Sequence, residues 1–185
     1  MIILASASPR RRELLGQIGV DFEVCVSEAK EVTSAKNPKE LTLLNAKAKA
    51  AAVAKEKKNF WILGADTVVA LDNKIYGKPK DESDAFNMLK TFANRTHEVI
   101  TGIVLLKGDK CFARAVVTKV TFGNMSDSEI ADYIATKEPM DKAGAYAVQG
   151  KAAKYIKEII GSYSNVVGLP LYELNELFKE AEVFT

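Results

Sequence analysis

The feature that most constrains the fold of this chain is a pair of apolar runs joined by a tight turn. Residues 98–106 and 111–122 are rich in aliphatic and β-branched side chains, and the polar pair Gly108-Asp109 lies between them. This pattern predicts a long antiparallel β-hairpin. Helical and strand-like segments alternate on both sides of it. We therefore predict an α/β fold in which a mixed central sheet is flanked by helices.

The remaining segments complete this sheet and its helices. We predict strands at residues 2–5, 22–26, 60–71 and 74–76, and helices at residues 9–19, 38–58, 81–92, 126–136 and 171–181. Residues 152–159 fit either a strand or a helix. The 185 residues contain no internal repeat and no linker rich in proline or glycine. We expect one domain over residues 1–185, with two lobes.

Composition and charge exclude several classes of protein. A net charge of +2 gives no global basic field, so nucleic acid is not an expected partner. No apolar run approaches the roughly 20 residues of a membrane helix. Arginines follow the short apolar N-terminus instead of preceding it, unlike a signal peptide, so we expect a cytoplasmic protein with no membrane partner. Cys25 and Cys111 are far apart and are expected to be reduced, buried thiols.

A cluster of arginines opens the first predicted helix. Ser8 and Pro9 are typical of an N-cap and a first helical position, and Arg10, Arg11 and Arg12 follow directly. The helix dipole disfavours cations at this end. A phosphate would offset them, since backbone N–H groups and guanidinium groups both bind phosphates. The alternative is that the side chains face solvent, with Glu13 pairing one of them.

One acid, Asp66, interrupts the apolar run of residues 60–71. Burying a carboxylate is costly unless it is paired, hydrogen-bonded or bound to a metal. Asp66 is therefore a candidate general base or metal ligand. The alternative is a structural aspartate that accepts backbone N–H bonds beside Gly64.

Two later segments offer further candidates. Lys78 lies between Gly77 and Pro79, a setting that suits a lysine aimed at a fixed target but also fits an ordinary turn. Residues 141–150 are rich in small side chains and contain Gln149, whose amide can both donate and accept, as recognition of a base requires. A tight crossing of two chain segments is the alternative there. The lone His97 is expected to have a structural role.

In their order and spacing, these motifs resemble the Maf family of nucleoside triphosphate pyrophosphatases. The resemblance spans almost the whole chain, through residues 4–15, 64–69, 77–79, 141–146, 149–150, 161–163 and 166–170. It implies an elongated, two-lobed fold with a cleft, related to inosine-triphosphatase-like enzymes. It also implies hydrolysis of nucleoside triphosphates to the monophosphate and pyrophosphate, a divalent cation (Mg²⁺ or Mn²⁺) and a homodimer.

The resemblance also implies roles for single residues. Asp66 matches the catalytic acid of the family, and Glu31, with Glu28 as the alternative, is the second acid, so the implied metal ligands are Glu31 and Asp66. Lys49 matches a helix lysine, with Lys47 as the alternative. The residues expected to bind substrate are Ser6, Arg10, Arg11, Lys49, Thr67, Lys78 and Gln149.

The same comparison favours one substrate branch. Thr67 and Gln149, which would help to select the base, are similar to the branch that hydrolyses dTTP and UTP, related or modified pyrimidine nucleotides included. A branch that prefers 7-methyl-GTP usually differs at both positions. Two alternatives stay open: a pyrophosphatase for 7-methyl-GTP or another modified nucleotide, and a nucleotide-sensing regulator of septum formation.

Overall fold

The computed structural model describes residues 1–184 and is built around a seven-stranded mixed sheet. The strands are β1 (Ile2–Leu4), β2 (Phe22–Val24), β3 (Trp61–Leu71), β4 (Lys74–Tyr76), β5 (Thr96–Lys107), β6 (Lys110–Phe122) and β7 (Ile156–Ile160). Their order is β2-β1-β3-β5-β6-β7, and β4 pairs with the end of β3. Strand β1 is parallel to both of its neighbours, whereas every other pairing is antiparallel.

The helices are α1 (Pro9–Gln17), α2 (Pro38–Ala54), α3 (Glu82–Phe92), α4 (Asp127–Ala135), α5 (Tyr163–Val167) and α6 (Leu171–Glu180). Short 3₁₀ turns at Glu138–Asp141, Ala143–Ala145 and Lys151–Tyr155 connect α4 to β7. The predicted mixed sheet and its flanking helices are thus confirmed, and the β5–β6 hairpin closes at Gly108-Asp109 as expected.

Two segments differ from the sequence-based prediction. Residues 152–159 are divided between a 3₁₀ turn and strand β7. Helix α5 was not predicted, because its five residues are too few for a periodic pattern. It begins where the Ser162 side chain accepts a hydrogen bond from the Asn165 backbone N–H at 3.1 Å.

Apolar side chains form separate clusters at the two ends of the long strands. At one end, alternate residues of the sheet pack against α6 on one face and against α2 on the other, as Leu63 and Ile62 illustrate. At the other end, Phe92 and Phe122 belong to a larger cluster that includes α3 and α4. Asp66 lies on β3 between these clusters, so the fold leaves a gap at that acid.

Helix α2 lies directly against the sheet at two glycines. A β-carbon built on Gly64 would be 2.1 Å from the Ala46 carbonyl oxygen, and one on Gly102 would be 2.6 Å from the Thr42 carbonyl carbon. Glycine is therefore required for this close approach. It brings the side chains of α2 next to Asp66, which pairs with Gly102 across the sheet.

The expectation of two buried cysteines is wrong. Cys111 is exposed and Cys25 is half-buried. Cys111 is next to the hairpin turn, and Cys25 follows the edge strand β2, so neither position is enclosed by the sheet and its helices. Within residues 1–184, none of the helices is both long and apolar enough to cross a bilayer.

Candidate functional site

A cavity of about 400 Å³ opens between the two apolar clusters. Its walls come from the start of α1, the loop before α2, one face of α2, the middle of β3, and the segments 141–149 and 166–168. Among the predicted residues, those that line it are Arg10, Arg11, Glu31, Lys49, Asp66, Thr67, Lys78 and Gln149. Segments far apart in sequence therefore meet at one cleft.

One lysine joins two of the acids that line this cleft. Lys49 Nζ lies 2.7 Å from Glu31 Oε1 and 2.8 Å from Asp66 Oδ1. The lysine therefore offsets the cost of holding the Asp66 carboxylate, which is only 7% exposed, inside the protein. The alternatives left open by the sequence lie elsewhere: Lys47 and Glu28 are exposed and do not line the cavity.

Asn45 supports the same carboxylate and was missed by the sequence analysis. Its Nδ2 donates to Asp66 Oδ2 at 3.4 Å and to the Val32 carbonyl at 3.0 Å, while its Oδ1 accepts from the Val32 N–H at 2.8 Å. Asn45 thus fixes the loop that carries Glu31 beside Asp66. The sequence does contain a feature that could have identified Asn45. It lies four residues before Lys49, and this spacing places both side chains on one face of α2.

The electrostatic setting keeps Glu31 ionised. Burial opposes its charge, but the hydrogen bond and the attraction to Lys49, together with Lys78 and Arg11, outweigh burial and lower the pKa of Glu31. The acid therefore stays a carboxylate through the physiological range and below it.

Arg11 is held by three acceptors at the floor of the cleft. Its Nε donates to the Gly168 carbonyl at 2.8 Å, its Nη2 to Thr67 Oγ1 at 3.0 Å and its Nη1 to Ser6 Oγ at 3.4 Å. Ser6 is buried and acts on Arg11 instead of lining the cavity itself. Burial lowers the pKa of Arg11, and the attraction of Asp66 opposes that shift.

The three arginines of the motif have different settings. Arg10 crosses the cleft, and its Nη1 lies 3.5 Å from Asp141 Oδ2. Burial opposes ionisation of Asp141, but Lys142 and then Arg10 outweigh it and lower the pKa of Asp141. Arg12 is exposed, so the solvent-facing alternative holds for this arginine.

The segment that carries Lys78 is tied to the 141–150 segment. The Gly144 N–H donates to the Gly77 carbonyl at 3.0 Å. Gly144 has a φ of 70°, and a β-carbon there would be 2.7 Å from Val69 Cγ2, so both conformation and space require glycine. Lys78 is exposed on the cleft wall and contributes to the field at Glu31.

Tyr133 and Glu138 hold the loop that presents Gln149, and neither was predicted. Tyr133 Oη donates to Glu138 Oε2 at 2.6 Å and accepts from the buried Ala147 N–H at 3.1 Å. Burial, reinforced by Glu138, raises the pKa of Tyr133, so the hydroxyl keeps its proton. A β-carbon on Gly150 would be 2.3 Å from Glu138 Oε1, so a larger residue after Gln149 would displace the Glu138 carboxylate.

His97 lies outside the cleft, inside an aromatic cluster. It is 1% exposed, its Nε2 is 2.7 Å from Tyr146 Oη, and its ring packs against Phe92 and Phe122. Burial lowers the pKa of His97 to about 4. This neutral, packed ring agrees with the structural role expected for it.

Five cationic side chains and three carboxylates line the cleft: Arg10, Arg11, Lys49, Lys78 and Lys142, with Glu31, Asp66 and Asp141. This arrangement is suited to a polyanion that arrives with a cation. Within the described residues 1–184, no three His, Cys, Asp or Glu side chains form a group that could hold a metal ion by themselves.

Known proteins resemble this chain over nearly its full length. A structure of the Staphylococcus aureus Ham1 protein matches with a TM-score of 0.57 at 16% identity, covering 98% of both chains, which supports the expected fold. Relatives named dTTP/UTP pyrophosphatase include one from Geobacter sulfurreducens, 49% identical over 95% of this chain and 93% of its own. Another, from Lachnoclostridium phytofermentans, is 45% identical over 97% and 94%. The family model of the Maf-like proteins matches residues 1–181, and this chain therefore belongs to the Maf-like protein family.

Proposed function

We propose that this chain hydrolyses nucleoside triphosphates, with dTTP and UTP as its principal substrates, to the nucleoside monophosphate and pyrophosphate. The observation that carries the proposal is the meeting of five cations and three carboxylates in one cleft, where Lys49 pairs with both Glu31 and Asp66. The names of the relatives, dTTP/UTP pyrophosphatases at 43–49% identity, support the same activity.

The cationic side chains bind the triphosphate in this proposal. Arg10 and Arg11 come from the start of α1, Lys49 from α2 and Lys78 from the segment after β4, so the cations surround the cleft. Their fixed charges stabilise the negative charge that shifts onto the leaving pyrophosphate. The backbone N–H groups at the start of α1 add to this field.

A divalent cation, Mg²⁺ or Mn²⁺, fits the two carboxylates that share Lys49. Mg²⁺ commonly takes one or two carboxylates from the protein and completes its shell with waters and substrate phosphates. Glu31 and Asp66, which share Lys49 and line the same cleft, would hold it. When bound, the ion would offset phosphate charge and polarise a phosphoryl oxygen.

The reaction proposed here is attack of water on the α-phosphorus. The water oxygen forms a bond to that phosphorus, the bond from phosphorus to the α,β-bridging oxygen breaks, and pyrophosphate leaves with the electron pair. Asp66 accepts the water proton or contributes to holding the cation, and both roles need an ionised carboxylate. Partial recovery of an Asp66→Asn variant at raised metal concentration would identify the ligand role.

Recognition of the base is assigned to the 146–149 wall of the cleft. Gln149 presents a donor and an acceptor there. The Thr67 hydroxyl is already engaged by Arg11 and Thr101, at 3.0 and 2.9 Å. We therefore assign Thr67 to the phosphate side of the site instead of to the base, which revises the role expected from the sequence.

A panel of triphosphates with detection of pyrophosphate tests the proposal. We expect release from dTTP and UTP that stops when EDTA removes divalent cations. Preference for 7-methyl-GTP would shift the substrate assignment, and tight nucleotide binding without pyrophosphate at any divalent metal would favour the regulator of septum formation. The homodimer, the cytoplasmic location and the single domain over residues 1–185 remain predictions. Light scattering, cell fractionation and limited proteolysis would check them in turn.

A further inference from the structure

We infer that Thr101 and Asn165, two buried residues that do not line the cleft, are positioning residues that fix the Arg11 guanidinium for phosphate through Thr67 and Gly168. The inference rests on the proposed function, because it assigns phosphate to Arg11. Both residues are fully buried, so neither can touch a substrate itself.

The hydrogen bonds from Arg11 inward have one possible direction. The backbone carbonyl oxygen of Asn165 can only accept a hydrogen bond. Thr101 Oγ1, 3.2 Å away, must therefore donate to it. With its proton used, Thr101 accepts from Thr67 Oγ1 at 2.9 Å. The Thr67 proton therefore points away from Arg11, and a lone pair of Thr67 is left to accept from Arg11 Nη2.

Asn165 also fixes the helix that leads to Gly168, whose carbonyl is the second support of the Arg11 guanidinium, after the Thr67 hydroxyl. The two N–H groups of Asn165 Nδ2 are shared among three acceptors: Thr118 Oγ1 at 2.9 Å, the Val99 carbonyl at 3.1 Å and the Val116 carbonyl at 3.2 Å. These bonds attach α5 to β5 and β6 at once. The residue after α5 is Gly168, whose carbonyl accepts from Arg11 Nε at 2.8 Å.

The two supports determine which donors remain for a ligand. A guanidinium has five N–H groups, and within residues 1–184 the side chain of Arg11 uses three of them, toward Gly168, Thr67 and Ser6. One N–H is left on each terminal nitrogen. Such a pair can bind two oxygens of a phosphate in parallel, and this geometry depends on the orientation of the plane.

Threonine-to-valine substitution isolates the hydroxyl of Thr101. In Thr101→Val, the hydroxyl that accepts the Thr67 proton is lost, and the Thr67 hydroxyl is free to rotate. We expect the dissociation constant of the non-hydrolysable α,β-imido-dUTP to rise about tenfold, or about 1.4 kcal/mol. In hydrolysis, KM should rise with it and kcat should change less. Thr101→Ser, which keeps the hydroxyl, should restore the wild-type values.

Thr42→Val is the matched control. Thr42 is also fully buried, and its hydroxyl donates to the Lys39 carbonyl at 3.0 Å, with no connection to Arg11. We expect it to lose stability but to keep the wild-type affinity. An equal loss of affinity in the control, wild-type affinity in Thr101→Val, or failure of Thr101→Ser to restore binding would each overturn the inference.

A double-mutant cycle with Arg11→Lys tests the route of the effect. If Thr101 acts through Arg11, adding Thr101→Val to Arg11→Lys should weaken binding no further. Additive losses would overturn the inference. Should Thr101→Val not fold, Thr101→Ala, which also lacks the hydroxyl, takes its place in the cycle, with the same outcomes. Because these readouts are affinities, absence of pyrophosphate release by the wild type would refute the proposed function and leave this test intact.

Discussion

Replacing Gly64 by alanine should both destabilise the protein and disturb the acid pair of the cleft. The new β-carbon would be 2.1 Å from the Ala46 carbonyl oxygen, whereas real β-carbons essentially never come closer than 3.0 Å. The obstacle is backbone on the face of α2 that packs against the sheet, so a side-chain rotation cannot relieve it. Helix α2 must move by about 0.9 Å to reach even that minimum.

The magnitude follows from the cost of overpacking. Insertion of one carbon into a packed core typically costs about 1–3 kcal/mol, and a clash with helix backbone belongs at the upper end. We expect a loss of at least about 2 kcal/mol, which lowers Tm by roughly 4–8 °C in a chain of this size. The movement also shifts Lys49, three residues after Ala46, and weakens its 2.8 Å contact with Asp66. Pyrophosphate release should fall as well.

Calorimetry and urea unfolding would measure the loss, with Gly16→Ala as the matched control. Gly16 is on helix α1, and a β-carbon there meets nothing within 4 Å. The control should gain about 0.5–1 kcal/mol, because alanine is the better helix former. A Gly64→Ala protein whose Tm stays within about 1 °C of wild type, an interval well under 1 kcal/mol for this size, would refute the close packing of α2 on β3.

Two further predictions concern buried groups near the site. Because burial holds the pKa of His97 at about 4 while an unfolded histidine has 6.5, the unfolded chain binds a proton that the folded protein does not as pH falls below 6.5. Between pH 7 and pH 5, the free energy of unfolding of the wild type should fall by about 2 kcal/mol more than that of His97→Gln, as measured by urea unfolding. Equal decreases in the two proteins would contradict this. Tyr133→Phe leaves the Ala147 N–H without its acceptor, so the free energy of unfolding should fall by about 1–3 kcal/mol and KM for UTP should rise. A variant with wild-type stability and wild-type KM would show that the hydroxyl does not hold the Gln149 loop.

Sequence reasoning found most of the fold because the long elements carry strong local patterns. The β5–β6 hairpin has two runs rich in aliphatic and β-branched residues on either side of a Gly-Asp turn, and α2 has a proline start and a helix-forming composition. Helix α5 could not be predicted, since its five residues are too few for a periodic pattern and it is held by long-range bonds from its own Asn165 to β5 and β6. The prediction that both cysteines are buried was wrong for a related reason. Burial depends on the position of a strand within the sheet, and the local sequence does not contain that information.

The candidate site was predictable where a residue conflicts with its local surroundings. Asp66 in an apolar strand and arginines at a helix start are unfavourable without partners, and this conflict marks them. Asn45, Tyr133, Thr101 and Asn165 cause no such conflict, because each is an ordinary polar residue in its own segment. Each of them makes at least one bond to a residue 13 to 66 positions away along the chain, which only the assembled fold brings together.

The central claim is that an ionised Asp66, held beside Lys49 in the cleft, drives hydrolysis of the triphosphate. The most direct measurement is the rate of pyrophosphate release from saturating dTTP by Asp66→Asn, with Asp109→Asn at the exposed hairpin turn as control. Asparagine keeps the shape and removes the charge, so we expect turnover to fall by at least about 100-fold while the control matches wild type. Full turnover by a folded Asp66→Asn protein would contradict the account.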